Sequence, residues 1–136
     1  MKLFSKASHK GSANGQWRLG MMHQQGHGVP KDYSKALEWY SKAAEGGSAG
    51  AENSLGLLYV QGLGVAKNPR EAEKWFRKAA EKGNPSAQHN LGLMYFKGEG
   101  RPKDNSEATQ WFRKAASQGH QAAAKKLEEL EGSAKR

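Results

Sequence analysis

The sequence predicts an all-α protein, a short α-solenoid built from three tandem helix-turn-helix repeats. Three observations support this fold class. A period of 36 residues runs through the chain without a gap, paired glycines follow the first half of every repeat, and apolar residues recur at helical spacing within each half. Self-similarity at such a period indicates supersecondary units that stack on one another to bury a continuous core.

The repeats occupy residues 12–47, 48–83 and 84–119. Their register is set by tryptophans, Leu-Gly pairs and Ala-Ala pairs that lie 36 residues apart. These shared positions are Trp39, Trp75 and Trp111, then Leu19-Gly20, Leu55-Gly56 and Leu91-Gly92, then Ala43-Ala44, Ala79-Ala80 and Ala115-Ala116. Agreement at so many positions defines one structural unit used three times.

The first half of each repeat predicts a helix, over Ser12–Gln25, Ser48–Gln61 and Pro85–Lys97. A pair of glycines then ends each helix, because glycine adopts the left-handed conformation of a helix C-terminus without steric cost. In the third repeat this pair is Gly98 and Gly100.

The second half of each repeat opens with a helix-capping signal. Asn68, Pro69 and Glu71 supply an N-cap, a proline at the first helical position and an acid at the third. Asp104 and Asp32 are the corresponding N-caps of the other repeats. We expect the second helices to end at the glycines that follow them, Gly47, Gly83 and Gly119.

The apolar stripe of each second helix is predicted to contain the tryptophan, as in Ala36, Trp39 and Ala43. We therefore interpret the tryptophans as core residues. A glycine such as Gly56 inside a first helix costs about 1 kcal/mol relative to alanine. We expect these interior glycines to allow close approach of a neighbouring helix, against its paired alanines.

The two ends of the chain are predicted to be partial repeats. Residues 1–11 align with the second half of a repeat and are interpreted as an N-terminal half repeat or cap, through which the protein could self-associate. Residues 120–131 resemble a first helix whose outer face is charged, as a C-terminal capping helix requires. Residues 132–136 are expected to form a frayed tail. The domain prediction is a single repeat domain over residues 1–136.

Composition narrows the functional classes. The chain has 136 residues, of which 26% are charged and 36% hydrophobic, and a formal net charge of +9. It lacks cysteine, which excludes disulfides, thiolate catalysis and cysteine-ligated zinc. The sequence contains no apolar run long enough to span a membrane and no recognisable secretion signal. We expect a cytoplasmic location, with export as part of a longer precursor as the alternative.

The repeat resembles the Sel1-like repeat, a relative of the tetratricopeptide repeat. The first-half pattern Ala-x-x-x-Leu-Gly-x-x-Tyr-x-x-Gly-x-Gly stands at Ala51–Gly64 and Ala87–Gly100. The second-half pattern, Ala-x-x-Trp-Phe-x-Lys-Ala-Ala-x-x-Gly, stands at Ala108–Gly119. The first repeat departs from it at Gly15 and His23. The resemblance implies an α/α right-handed superhelix that acts as an adaptor or scaffold, often in bacteria, and does not identify the partner.

On the tetratricopeptide analogy the first helices line the concave face, and their outward positions are the candidate partner-binding residues. Most of these positions differ between the repeats although the core positions agree. Apolar groups beside amides suit an extended or helical peptide. The candidates are Trp17, Arg18, Met21, Asn53, Leu57, Val60, His89, Asn90, Leu93, Phe96 and Lys97. For Met21, Leu57 and Leu93, packing between adjacent repeats is the competing interpretation.

No catalytic, metal or cofactor site is predicted. His23 and His27 have a helical metal-ligand spacing, but Gly26 interrupts the helix between them and a third ligand is missing, so a solvated pair is favoured. Ser-x-x-Lys is absent, and so is a plausible Ser-His-acid grouping. The sequence therefore predicts a non-enzyme.

A second functional class remains open. Lys31, Lys67 and Lys103 recur beside the turns and predict a basic ladder that could bind nucleic acid or another polyanion. The sequence favours a protein or peptide partner, which the net charge would suit best if that partner were acidic.

Overall fold

The computed structural model describes the backbone of residues 2–135 and the side chains of residues 13–132. Every regular element within residues 2–135 is an α-helix, and the chain divides after Asn68 into two compact units. The helices are α1 (Lys2–Gln25), α2 (Tyr33–Glu45), α3 (Ala49–Gln61), α4 (Pro69–Glu81), α5 (Pro85–Lys97), α6 (Asn105–Ser117) and α7 (Gln121–Lys135).

The first unit contains α1, α2 and α3, and each helix packs against the next. The predicted cap of α2 is confirmed, because the Asp32 carboxylate accepts a hydrogen bond from the Lys35 backbone N–H at 3.1 Å. Ser48 caps α3 in the same way, accepting from the N–H of Ala51 at 3.1 Å. Short turns and local caps therefore set the antiparallel order of these helices.

The second unit contains α4 to α7, again packed in sequential pairs. The helix α4 begins at Pro69, as predicted. Asn84 caps α5, and Asp104 caps α6 with a bond from the N–H of Glu107 at 3.1 Å. The cap of α7 is an imidazole, since Nδ1 of His120 accepts from the N–H of Ala123 at 3.1 Å.

The predicted glycine turns are confirmed. Gly98 at the end of α5 has a φ of +75°, and Gly100 has a φ of +73°. The N–H of Gly98 bonds to the carbonyl of Met94 at 2.8 Å, which closes the helix. A side chain at either position would force a strained left-handed conformation.

The core of each repeat is centred on the aromatic residue after the tryptophan. Tyr40, Phe76 and Phe112 are 0%, 2% and 0% exposed. The prediction that the tryptophans form the core is correct for Trp111, which is buried, and wrong for Trp39, which is partially exposed like Trp75. The reason is helical geometry, because adjacent residues point about 100° apart, so a tryptophan and the aromatic residue after it cannot both point at the centre of the core.

The expected contact of the interior glycines also needs correction. A Cβ built on Gly20 would lie 2.5 Å from the ring of Tyr40, and one built on Gly92 would lie 2.7 Å from the ring of Phe112. These glycines therefore make room for the core aromatic ring of the following helix, which is the group that approaches them most closely.

The first and last helices are longer than the sequence predicted. The helix α1 begins at Lys2 rather than at Ser12, and α7 extends to Lys135 rather than ending before residue 132. Glycine lowers helix propensity without forbidding the helix, so its position alone does not fix a boundary. The packing of residues 1–11 lies outside the described side chains, and their role as a cap stays a prediction.

Candidate protein-interaction surface

The predicted partner-binding residues lie on α1, α3 and α5, the first helices of the repeats. None of them is buried: Arg18 and Lys97 are exposed, and the others are partially exposed. We call this set the first-helix surface and describe it separately in each unit. In the first unit it comprises Trp17, Arg18, Met21, Asn53, Leu57 and Val60, and in the second unit His89, Asn90, Leu93, Phe96 and Lys97.

Trp17 joins α1 to α3 in the first unit. Its indole N–H donates to the hydroxyl of Ser54 at 3.1 Å. A Cβ built on Gly50 would lie 2.7 Å from the indole ring, so the absence of a side chain there makes the seat for this ring. Trp17 is therefore a fixed aromatic group with part of its surface exposed.

A second polar contact lies beside Trp17. The phenol of Tyr40 donates to Oε1 of Gln24 at 2.5 Å. Burial raises the pKa of Tyr40 to about 12, although a hydrogen bond with Ser54 acts in the opposite direction. Ser54 on α3 thus accepts from the indole of α1 and lies close to the phenol of α2.

In the second unit the most distinctive feature is Phe96, whose ring is approached by two ammonium groups. The Nζ of Lys103, in the turn between α5 and α6, lies 5.6 Å from the ring centroid. The Nζ of Lys126 on α7 lies 4.9 Å from the same centroid. Both distances are within the range of a cation–π interaction. The ring remains partially exposed between these two charges.

His89 lies about two turns before Phe96 on α5 and packs on two other rings. Its centroid is 5.8 Å from that of Phe112 and 4.7 Å from that of His120. Burial lowers the pKa of His89 to about 4, with further lowering by the nearby positive charges of His120, Lys126 and Lys97. At neutral pH His89 is therefore an uncharged hydrogen-bonding group in a positively charged neighbourhood.

The surroundings of α5 are consequently basic. Lys97, Lys103 and Lys126 all contribute to this surface, and Lys126 also approaches the exposed carboxylate of Glu129 at 3.4 Å. Lys126 was missed by sequence reasoning, because only the packing of α7 on α6 brings it to Phe96. Its repeat equivalent in α5 is Asn90, so the period gave no signal for a cation at this position.

Behind this surface lies a network that the repeat pattern did not predict. The carboxylate of Glu73 accepts from Arg101 at 2.7 Å and from Arg77 at 3.1 Å. Arg77 also donates to the phenol of Tyr95 at 2.7 Å, and the guanidinium of Arg101 lies 4.0 Å from the ring centroid of Tyr95. The network ties α4, α5 and the following turn together. In the other repeats Leu37 or Thr109 replaces Glu73, so the period could not reveal it.

The second helices carry a repeated pair of their own. The ammonium groups of the recurring lysines lie over the preceding tryptophan rings, at centroid distances of 4.9 Å for Lys42–Trp39, 5.1 Å for Lys78–Trp75 and 4.5 Å for Lys114–Trp111. This contact explains why lysine follows tryptophan by three residues in each repeat. The lysines of the predicted ladder, Lys31, Lys67 and Lys103, are all exposed.

The histidine pair of the first repeat differs from the solvated pair that was predicted. His27 is exposed, but Nδ1 of His23 is buried and has no hydrogen-bond partner. In the part of the chain with described side chains, no group of three or more histidines and carboxylates is placed to hold a metal ion. None of the described helices is long and apolar enough to cross a membrane.

The chain belongs to the Sel1 repeat family. The family profile of the Sel1 repeat matches residues 13–48, 49–84 and 85–120, one residue later than the repeat boundaries derived from the sequence period. A comparison with curated proteins found no significant match.

Solved structures with the same repeat are similar over most of the chain. A protective antigen of uropathogenic Escherichia coli with an SLR fold is 39% identical at a TM-score of 0.85, over 96% of this chain and 28% of the antigen. A Sel1 repeat protein from Oxalobacter formigenes is 41% identical at a TM-score of 0.79, over 85% of this chain and 47% of that protein. Cysteine-rich protein B of Helicobacter pylori is 29% identical at a TM-score of 0.66, over 71% of this chain and 72% of that protein.

These similarities confirm the predicted family and fold class, an all-α solenoid of Sel1-like helix-turn-helix repeats. The chain spans less than half the length of the first two of these proteins. Sel1 repeats are generally protein-interaction modules and non-catalytic scaffolds. Membership of the family specifies neither the binding surface of a particular protein nor its partner.

Proposed function

We propose that the protein is a non-catalytic adaptor that binds a partner protein or peptide through its first-helix surface. The observation that carries this proposal is Phe96, a partially exposed ring between the ammonium groups of Lys103 and Lys126. A peptide that inserts an apolar side chain beside this ring and presents carboxylates to the lysines would match both features of the surface.

The rest of α5 supports a peptide ligand. Leu93 is a partially exposed apolar residue one turn before Lys97, and Asn90 carries an amide suited to a peptide backbone. His89 adds a neutral imidazole at physiological pH. Apolar groups flanked by amides and cations suit a short acidic segment better than a purely hydrophobic one.

The first unit offers a similar combination with different residues. Trp17 is held by Ser54 and Gly50, so its exposed part is presented in a single orientation and little rotamer entropy is lost on binding. Met21, Leu57 and Val60 are partially exposed apolar residues of the same unit, and Arg18 is an exposed cation. We expect these residues to form a second binding surface, in the first unit.

A selection from a random peptide library displayed on phage, with the immobilised full chain as bait, tests this function directly. The expected peptides combine an aromatic or aliphatic residue with two or more acids. Phe96→Ala and Lys97→Glu should each lower the affinity for the selected peptide by about tenfold, which corresponds to about 1.4 kcal/mol of binding free energy. Titration calorimetry measures the affinity.

The matched control is Lys35→Glu. It makes the same charge change at an exposed lysine of a second helix, and it restores the acid found at this capping position as Glu71 and Glu107. Its affinity should equal that of the wild type. Equal weakening by Lys97→Glu and Lys35→Glu would mean that net charge alone attracts the peptide, and the proposed surface would be rejected.

The alternative partner is a nucleic acid bound to the exposed Lys31, Lys67 and Lys103. The dependence of its affinity on salt concentration distinguishes it from a peptide. A single-stranded oligonucleotide that binds through these lysines loses affinity steeply with ionic strength and is insensitive to Phe96→Ala. Oligonucleotide binding stronger than peptide binding at physiological salt would replace the adaptor proposal with this one.

A further inference from the structure

The helix α7 is capped by a residue type that the other repeats do not use at this position. The equivalent caps are Ser48 of α3 and Asn84 of α5, whose side-chain oxygens accept from backbone N–H groups at 3.1 Å and 2.9 Å. At the start of α7 the acceptor is Nδ1 of His120, at 3.1 Å from the backbone nitrogen of Ala123. Serine and asparagine keep their charge at all ordinary pH values, whereas histidine changes its charge near neutral pH. The cap of α7 is therefore one that a proton can remove.

Protonation of Nδ1 abolishes this hydrogen bond. A backbone N–H can only donate, so Nδ1 of His120 accepts from it only while the nitrogen lone pair is free. An imidazolium carries a proton on both ring nitrogens and would point one of them at the N–H of Ala123. It would also place a positive charge at the positive end of the helix dipole. The first turn of α7 has no acidic residue that could offset this charge.

A second histidine lies against the cap. The ring centroid of His89 on α5 is 4.7 Å from that of His120 and 5.8 Å from that of Phe112. The repeat equivalents of His89 are Trp17 and Asn53, so neither histidine belongs to the repeat pattern. Like charges at this distance repel, and protonation of both rings therefore opposes the stacked arrangement.

The charges around this histidine pair are mostly positive. Burial lowers the pKa of His89 to about 4, and the positive charge of His120 lowers it further. Lys126 on α7 and Lys97 on α5 act in the same direction. The carboxylate of Glu129 is paired with Lys126 at 3.4 Å. Among the described side chains α4 and α6 add no charged group to those that act on His89, and α6 contributes an uncharged ring. A further positive charge on the pair is thus opposed from both α5 and α7.

We propose that His120 is a pH-responsive cap: acidification charges the His89–His120 pair, and the first turns of α7 then separate from α6. Because Lys126 lies on α7, the separation also withdraws its ammonium group from Phe96, where it lies 4.9 Å from the ring centroid in the docked arrangement. One of the two cations at this ring is then controlled by pH. The device belongs to α7 and operates without the proposed peptide ligand.

Hydrogen exchange of the backbone amides, followed by NMR on the full chain at about pH 8 and about pH 5, tests this device. The two values lie on either side of the ordinary imidazole pKa of about 6.5, and most carboxylates stay ionised at both. On acidification the protection factors of the α7 amides, with that of Ala123 as the direct reporter, should fall at least about tenfold, as the loss of a cap implies. The amides of α5, whose cap is Asn84, should lose less protection.

His120→Asn is the decisive variant. It places at the start of α7 the cap that Asn84 supplies to α5, so the α7 amides should lose no more protection on acidification than those of α5. His120→Ser, which copies the cap Ser48, is a second variant with the same expected result. His27→Gln, at an exposed histidine outside the pair, should keep the wild-type response. Circular dichroism at about pH 8 verifies that each variant keeps its helix content. An undiminished protection of α7 in the acidified wild type, or an equal loss in His120→Asn and His120→Ser, would overturn the proposal.

Discussion

Gly92 lies directly beneath the ring of Phe112, so closely that a Cβ built on this glycine would stand 2.7 Å from the ring. Gly20 and Tyr40 repeat the arrangement in the first unit, with a distance of 2.5 Å. The glycine is therefore half of a pair in which a missing side chain on one helix receives the core aromatic ring of the next. This pairing sets the distance between the two helices of a repeat and so orients the first-helix surface.

We expect Gly92→Ala to destabilise the protein. The ring of Phe112 is fully buried and has no free space to move into, so the added methyl group should cost about 1–3 kcal/mol. That exceeds the gain of about 1 kcal/mol from the better helix propensity of alanine. Thermal and urea unfolding give the change in the free energy of unfolding.

The control for this substitution is Gly15→Ala. A Cβ at this exposed helical glycine would meet nothing within 4 Å. Only helix propensity should change, and the free energy of unfolding should rise by up to about 1 kcal/mol. If both variants shifted stability in the same direction, the close glycine–ring pairing would not be the determining contact.

Tyr40→Phe should lower the free energy of unfolding by about 0.5–1.5 kcal/mol, the usual contribution of one hydrogen bond. The ring itself fits, because Phe76 and Phe112 occupy the equivalent positions, but Gln24 loses its donor. Tyr33→Phe, outside this bonded group, serves as the control. An unchanged stability of Tyr40→Phe would show that the short bond to Gln24 contributes nothing.

Glu73→Gln should destabilise the second unit by about 1–3 kcal/mol, because the guanidinium groups of Arg77 and Arg101 lose the carboxylate they share. The exposed pair between Arg113 and Glu131 gives a control, and Glu131→Gln should change stability by less than about 0.5 kcal/mol. Chemical denaturation distinguishes the two, and equal effects would contradict the structural role of the network.

The lowered pKa of His89 predicts that the stability of the protein depends on pH. Its pKa is about 4 in the folded protein and 6.5 in a model peptide, so the unfolded chain binds more protons between these values. Stability should therefore decrease as the pH falls from 6.5 to 4 and should receive no further contribution from His89 below that. Solvent screening of this partially exposed ring limits the loss to on the order of 1 kcal/mol.

The melting temperature of His89→Gln, compared with the wild type across this pH range, isolates the effect. The variant should lose less stability on acidification than the wild type. His27→Gln, at an exposed histidine, should follow the wild-type profile. Parallel profiles for His89→Gln and the wild type would contradict the effect assigned to burial among His120, Lys126 and Lys97.

The sequence predicted those features that local rules determine. The glycine turns, the Asp32 and Asp104 caps and the start of α4 at Pro69 all follow from backbone preferences of single residues. Their repetition at a fixed period then identified the family. The bounds of α1 and α7 differ from the predicted ones because glycine is compatible with both a helix and a turn.

The details of the candidate site required the structure. Trp39 and Tyr40 are adjacent aromatic residues whose directions differ by about 100° around the helix axis. Because both are aromatic, the apolar pattern alone does not tell which of them faces the core. The two cations at Phe96 come from a turn and from α7, far apart in sequence. Glu73 and Arg101 occur once each rather than in every repeat, so their network left no trace in the periodic pattern.

The central claim, that the first-helix surface binds the partner, is tested most directly by chemical-shift mapping on the 15N-labelled protein during titration with a selected acidic peptide. The account predicts that the largest shifts fall on Leu93, Phe96 and Lys97, with small shifts on the exposed sides of α4 and α6. Largest shifts on the Lys78 and Lys114 side of the second helices would contradict it.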